Sequence, residues 1–119
     1  AWDKEFKEMV QVDALVFGEQ IIKATYKNGN VVKEDLKNYV LMQSTGLKDK
    51  NSKEIFEGDV VKMAKNVYSE PTYYEVVRHL GGAYRLESKQ HGCELWLRHT
   101  DCEIAGNIYE NPELAEVCS

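Results

Sequence analysis

The feature that most constrains the fold of this chain is a repeated alternation of apolar and polar residues, which is typical of short, half-buried β-strands. Turn-forming residues separate the alternating runs along all 119 residues. The pattern predicts strands over residues 9–12, 14–17, 21–26, 39–43, 55–64, 73–80, 83–87, 94–98 and 103–109. We therefore predict an all-β protein.

The connections between these runs carry turn signals. Asn28-Gly29 suits the positive φ of a tight hairpin, and Gly81-Gly82 predicts a second hairpin with a primed turn, because glycine has no Cβ atom. Between residues 32 and 40 the apolar residues have helical spacing among turn formers, which predicts a turn or helical kink before a strand. Asn111-Pro112 predicts the N-cap and first residue of a short C-terminal helix.

Composition and length indicate one globular domain over residues 1–119. The hydrophobic fraction of 43% and the charged fraction of 29% are those of an ordinary folded protein. No apolar run approaches the ~20 residues of a membrane helix. Three cysteines without a signal peptide do not suggest a disulfide scaffold, so we expect a cytoplasmic protein.

The charge balance argues against nucleic acid as the main partner. The net charge is -5, and no lysine or arginine follows Arg98. Affinity for a phosphate backbone depends on clustered lysine and arginine. Nucleic-acid binding is therefore disfavoured, although a local basic face remains compatible with the sequence.

The segment GLKDKNSKEIFEGDVVK, Gly46 to Lys62, combines glycines with a dense run of charges. It lacks the Gly-Lys-Ser/Thr ending of a phosphate-binding P-loop, and its acids offset its lysines. We predict a charged turn in which Asp49 and Asn51 bond their own backbone, followed by a strand that bends at Gly58-Asp59. Glu57 and Asp59 are then expected to be a solvated pair near the bend and not an acid-base pair.

The residues with the chemistry of zinc ligands are His91, Cys93, His99 and Cys102. Their spacing, H-x-C and then H-x-x-C, matches no closed zinc module. A nucleophilic Cys93 would need activation by His91 or His99 and a third, orienting group, which the sequence does not identify. We therefore predict no catalytic, metal or cofactor site, and we keep a metal-dependent or Cys/His-dependent enzyme as an alternative.

A group of aromatic and basic residues has two interpretations. It comprises Tyr68, Tyr73, Tyr74, Tyr84 and Trp96 with Arg78, Arg85 and Lys89. On a small barrel these side chains would offer a stacking platform for single-stranded nucleic acid. The alternative, which we favour, is core packing and cross-strand aromatic pairing.

Three segments carry a resemblance to a known family. They are Ala1-Trp2-Asp3-Lys4, MQSTGLKDKNSKEIFEGDVVK from Met42 to Lys62, and GNIYENPEL from Gly106 to Leu114. In this order they resemble the YopX family of small proteins encoded by bacteriophages and prophages. Ser44 and Ser52 stand where the family usually has tyrosine and glycine. The family also usually has a few residues before the Ala-Trp-Asp motif, so a start at Ala1 implies truncation or processing.

The resemblance implies an all-β fold that contains a small SH3-like barrel, and it supplies no catalytic residue. We therefore predict an N-terminal β layer over residues 1–45, a strongly bent SH3-like barrel over residues 46–119, and a short C-terminal helix. Gly46, Gly58, Asp59 and Gly106 are expected to shape the corners.

For function, we expect a non-enzymatic protein-interaction module in the cytoplasm of the bacterial host, with a phage or host protein as its partner. The alternatives are a nucleic-acid-associated small barrel and the enzyme described above. Self-association through uncovered edge strands, giving a homo-oligomer, is a further possibility that the sequence leaves open.

Overall fold

A computed structural model describes residues 1–64, 70–79, 81–88 and 92–118. The described residues are mostly β-strand with a few short helices, which confirms the predicted fold class at this level. The chain divides into two compact units, Ala1–Met42 and Gln43–Ser119. That these units form one domain stays a prediction.

The first unit contains two antiparallel three-stranded sheets. Its elements are β1 (Trp2–Asp3), β2 (Glu8–Met9), β3 (Gln11–Val16), β4 (Ile21–Thr25), β5 (Val31–Asp35), a 3-10 helix (Leu36–Asn38) and β6 (Tyr39–Val40). The strand orders are β2-β1-β6 and β3-β4-β5. Its core is built from Val10, Ile22, Ala24 and Tyr39.

Local sequence signals account for most of this unit. The hairpin predicted at Asn28-Gly29 joins β4 to β5, where the Tyr26 N–H donates to the Asn30 carbonyl at 2.8 Å. Gly29 alone in this turn has a positive φ, 91°, as in three-residue loops with a glycine bulge. The predicted helical kink is the 3-10 helix before β6, but residues 31–35 ahead of it form β5. The predicted runs 9–12 and 14–17 merge largely into β3, which is bulged between Val12 and Ala14.

The described residues of the second unit form a two-stranded pair, β7-β8, and a five-stranded antiparallel sheet in the order β12-β11-β10-β9-β13. Its strands are β7 (Ser44–Lys48), β8 (Glu54–Phe56), β9 (Asp59–Met63), β10 (Thr72–Arg78), β11 (Tyr84–Glu87), β12 (Gly92–Glu94) and β13 (Glu103–Asn107). Its helices are α1 (Leu95–Arg98), a 3-10 turn (His99–Asp101) and α2 (Pro112–Cys118). The core comprises Ile55, Val61, Met63, Tyr74, Val76, Leu86, Leu95 and Cys102.

The predicted SH3-like barrel is not confirmed, because no sheet closes on itself within the described ranges. The predicted bent strand over residues 55–64 is instead two strands, β8 and β9. The break falls at Gly58, whose φ of 93° lies in the left-handed region that favours glycine. The strand is interrupted at this bend, between Phe56 and Asp59.

The predicted strand over residues 94–98 is wrong. Residues 95–98 form helix α1, which buries Leu95 and leaves Trp96 and Leu97 exposed by 62% and 58%. Leucine and arginine are good helix formers, and five alternating residues are too few to exclude a helical turn. The primed turn at Gly81-Gly82 is also wrong, since of these two glycines only Gly82 has a positive φ. The hairpin itself is confirmed, with the His79 N–H donating to Ala83 at 2.8 Å.

The C-terminal helix starts at Pro112, as predicted, and packs near Gly106 of β13. A Cβ atom on Gly106 would lie 2.7 Å from Cγ of Asn111 and 3.2 Å from a methyl group of Leu114. Asn111 does not have freedom to retreat, because its Oδ1 accepts the Asn107 N–H at 3.3 Å. Gly106 is therefore required by a close approach between β13 and the segment that leads into α2.

We expect Gly106→Ala to lower the free energy of unfolding by about 1–3 kcal/mol, because the added methyl group overpacks this contact. Urea denaturation followed by circular dichroism measures the change. Gly81→Ala is the matched control in the same unit, since nothing lies within 4 Å of the position that its Cβ atom would take and its φ is not positive. Equal losses of stability in the two variants would show that the close approach does not require glycine at position 106.

Candidate functional site

The charged turn between β7 and β8 is organised by the buried carboxylate of Asp49. Its Oδ1 accepts the N–H groups of Asn51 at 2.8 Å and Lys53 at 2.9 Å, and its Oδ2 accepts the N–H of Ile104 in β13 at 3.0 Å. Ser52 takes a positive φ of 65° inside this turn. The prediction that Asp49 bonds its own backbone is confirmed, and the glycine-lysine run is a structural turn.

The pKa of Asp49 reflects this arrangement. Burial alone would raise the pKa, but the N–H groups of Ile104, Lys53 and Asn51 together outweigh burial. The pKa therefore lies below the ordinary value of an aspartate, because the hydrogen bonds favour the charged form. Stability from this group is present above the ordinary pKa and is lost as the pH falls through the lower folded-state pKa.

We expect Asp49→Asn to reduce the free energy of unfolding by about 2–3 kcal/mol near neutral pH, because a charged acceptor of three N–H groups is lost. The difference from the natural chain should shrink as the pH falls through and below the ordinary aspartate pKa. Urea denaturation across this range measures it. Asp101→Asn is the control, since its exposed pair with Arg98 should be worth less than about 1 kcal/mol.

Asp59 is buried, so the expectation of a solvated Glu57/Asp59 pair is wrong for Asp59. Its Oδ2 accepts the Phe56 N–H at 2.8 Å and closes the bend at Gly58. Burial raises the pKa of Asp59 to about 6, with the Phe56 hydrogen bond opposing and the Asp49 charge adding to the rise. The carboxyl group stabilises the bend, and among the described residues no acid-base partner contacts it.

Asp59 should give stability the opposite pH dependence from Asp49. Because its folded-state pKa is raised, its contribution is present below the ordinary aspartate pKa and is lost as the pH rises through about 6. The difference between this pKa and the ordinary one corresponds to about 3 kcal/mol. We expect Asp59→Asn, whose amide oxygen still accepts the Phe56 N–H, to become more stable relative to the natural chain by up to that amount between about pH 4 and 7. Parallel stability curves for the two proteins would contradict this prediction.

The cysteine and histidine residues of the sequence analysis are not assembled into a site within the described ranges. His91 lies outside them. The Nδ1–H of His99 donates to the Lys48 carbonyl at 2.7 Å, and the Cys102 thiol donates to the Arg98 carbonyl at 3.3 Å. Burial raises the pKa of Cys102 to about 12 and also raises that of Cys93, so both are thiols and not nucleophilic thiolates. Across the described ranges no three His, Cys, Asp or Glu side chains converge as metal ligands.

The aromatic and basic residues do not share one surface in the described part of the chain. Tyr74 is buried and Tyr84 packs against the same core, which confirms the core interpretation for these two. Tyr73 follows the opposite face of β10, and Trp96 is exposed on α1. Two carboxylates engage the guanidinium of Arg85, that of Glu87 at 3.0 Å and that of Glu94 at 2.5 Å. Tyr68 and Lys89 lie outside the described residues.

A site that the sequence analysis missed lies in the first unit, where Asp3 organises two turns. Asp3 is only 2% exposed. Its Oδ1 accepts the N–H groups of Glu5 at 2.9 Å and Phe6 at 3.2 Å, which forms the turn between β1 and β2. Its Oδ2 accepts the hydroxyl of Tyr26, which precedes the β4–β5 turn. One carboxylate therefore makes hydrogen bonds to both turns.

A second tyrosine extends this network. The Tyr39 hydroxyl lies 2.8 Å from the Tyr26 hydroxyl and 2.9 Å from a carboxylate oxygen of Glu34. Because Tyr26 gives its one hydrogen to Asp3, Tyr39 donates to only one of these two oxygens at a time. Burial, followed by the hydrogen bonds to Asp3 and Tyr39, raises the pKa of Tyr26 well above its ordinary value. The phenol stays protonated over the physiological range. The hydrogen bond from Tyr26 to Asp3 connects the two turns.

The two turns border a pocket that is open to solvent, which we name the turn pocket. It has a volume of about 230 Å³ and is lined by Phe6, Glu8, Tyr26, Asn28 and Asn30. Phe6 is 65% exposed, and Glu8 makes no ion pair with another described residue. The sequence contained a signal for each turn separately: an aspartate at the start of the first turn and an Asn-Gly pair in the second. Their juxtaposition depends on the contact between Asp3 and Tyr26, which no local pattern reveals.

The fold is thus a mostly β chain of two compact units, with buried carboxylates at its corners and a small polar and aromatic pocket in the first unit. The chain belongs to the YopX family, because the family model described as YopX protein matches residues 1–116. No curated protein sequence matches it significantly. None of the helices in the described ranges is long and apolar enough to span a membrane.

A solved structure that resembles this chain is that of protein EF1440 from Enterococcus faecalis. It is 29% identical, the match covers 95% of this chain and 93% of that chain, and the TM-score is 0.60. The likeness therefore extends over both units.

Proposed function

We propose that this chain is a non-enzymatic protein-interaction module that acts in the bacterial cytoplasm, with a phage or host protein as its partner. The bacteriophage and prophage setting is part of the proposal and comes from the family that the chain resembles. The observation that carries the proposal is the turn pocket. It presents an exposed aromatic residue, Phe6, together with Glu8, whose carboxylate pairs with no cation among the described residues.

The chemistry of the other candidate groups supports a binding role over catalysis. The two described thiols are protonated, the Nδ1–H of His99 is committed to a carbonyl, and the two perturbed aspartates hold turns. Catalysis needs a nucleophile or an acid-base group directed at a substrate. Recognition of a protein needs only a preorganised surface with anchoring side chains.

The test is affinity capture with the tagged protein from a bacterial lysate, taken before and after prophage induction and treated with nuclease. We expect a defined protein to be retained in stoichiometric amount after nuclease treatment and to rebind the purified chain. Recovery that disappears with nuclease would favour the nucleic-acid alternative. Absence of any protein enriched over the tag alone, at every stage, would contradict the proposal.

A further inference from the structure

We infer that the turn pocket binds the guanidinium group of an arginine side chain on the partner. This inference rests on the proposed function and specifies its chemistry. Three features support it: the size of the pocket, the charge and acceptors of its lining, and the aromatic ring beside them.

The size of the turn pocket selects a side chain over a free metabolite. Sites for drug-sized ligands have volumes of roughly 300–1,000 Å³ and enclose most of the ligand. The turn pocket has about 230 Å³ and is open to solvent. It therefore suits one long side chain that enters from outside while the rest of the partner stays on the surface.

The lining selects a cation that donates hydrogen bonds. Among the described residues that line the pocket, Glu8 supplies the one charge, and no lysine or arginine contributes. Asn30 offers a second acceptor, its Oδ1. The Oδ1 of Asn28 already accepts a hydrogen bond from the Asn30 N–H at 2.9 Å. An arginine side chain has five donors and no acceptor, so it can bond the Glu8 carboxylate and an asparagine side-chain oxygen together.

The aromatic ring favours arginine over lysine. A guanidinium group is planar, stacks on aromatic faces and is less strongly hydrated than an ammonium group. It also pairs with a carboxylate through two parallel hydrogen bonds. Phe6 and Glu8 are separated by a single residue, Lys7, whose positive φ of 55° turns the chain between them. Phe6 and Glu8 therefore line the same pocket, which stacking with simultaneous pairing requires.

Hydrogen bonds hold parts of the turn pocket in place before a ligand binds. The Asp3 carboxylate accepts the N–H of Phe6 and the hydroxyl of Tyr26, so two of the residues that line the pocket are tied to one buried group. A site whose parts are already fixed loses less conformational entropy on binding.

The test is an NMR titration of the ¹⁵N-labelled full chain with N-acetyl-arginine amide, a probe that carries the side chain and no charged termini. We expect saturable shifts at the amides of Phe6, Glu8, Asn28 and Asn30 with a Kd of about 1–10 mM. The uncharged isostere N-acetyl-citrulline amide should bind at least about tenfold more weakly. The lysine analogue should also be weaker, by several-fold.

Two variants separate the pocket from general charge effects. Glu8→Gln should weaken the arginine probe by about tenfold, whereas Glu19→Gln, which makes the same change in net charge on the exposed β3–β4 turn, should leave Kd unchanged. Phe6→Leu should weaken binding by several-fold through loss of the ring. An unshifted amide spectrum away from the pocket confirms that each variant is folded.

The outcomes also separate this inference from the proposed function. No saturation by the arginine probe, equal binding of the citrulline probe, or an unchanged Kd in Glu8→Gln would overturn it. A captured partner that binds the natural chain and Glu8→Gln equally well would leave the proposed function intact and overturn this inference. Arginine binding without any captured partner would support this inference and contradict the proposed function.

Discussion

The second unit depends on one buried carboxylate that accepts three backbone N–H groups. Asp49 joins a turn to a strand far along the chain, and the Lys50 N–H reinforces the connection by donating to the Cys102 carbonyl at 2.9 Å. A buried carboxylate without such partners is costly, whereas charge-assisted bonds in a low dielectric are strong. The charged segment is therefore joined to β13 by the Asp49 carboxylate, with Lys50 adding an ion pair to Glu103 at 3.6 Å.

The same device recurs at the other corners. Asp3 holds the β1–β2 turn, Asp59 holds the bend between β8 and β9, and the Asn107 Oδ1 accepts the N–H groups of Tyr109 at 3.0 Å and Glu110 at 2.8 Å. Short polar side chains satisfy backbone groups that tight turns leave unpaired. In the first unit this device has a second effect, since the turn that Asp3 holds also presents Phe6 at the pocket.

Sequence reasoning succeeded where the cause of the structure is local. The Asn28-Gly29 hairpin, the Pro112 helix start and the bonds of Asp49 to its own turn each depend on a few neighbouring residues. It failed at residues 94–98, where the short alternation is compatible with both a strand and a helical turn. A strand would place Leu97 on the same face as the buried Leu95, but Leu97 is 58% exposed. It also missed the third bond of Asp49, to Ile104, and the pocket, because both require contacts between residues distant in sequence.

The pairing of β9 bears on how the second unit folds. β9 pairs with β10, its neighbour in sequence, and also with β13, with Asp59 opposite Asn107 across a long intervening segment. The β10–β11 hairpin closes a short loop, whereas docking of β13 closes a long one and must overcome a larger loss of chain entropy. We expect β10 and β11 to be ordered in the folding transition state and β13 to join after it. Weakening the β13 contacts would then accelerate unfolding and leave the folding rate nearly unchanged.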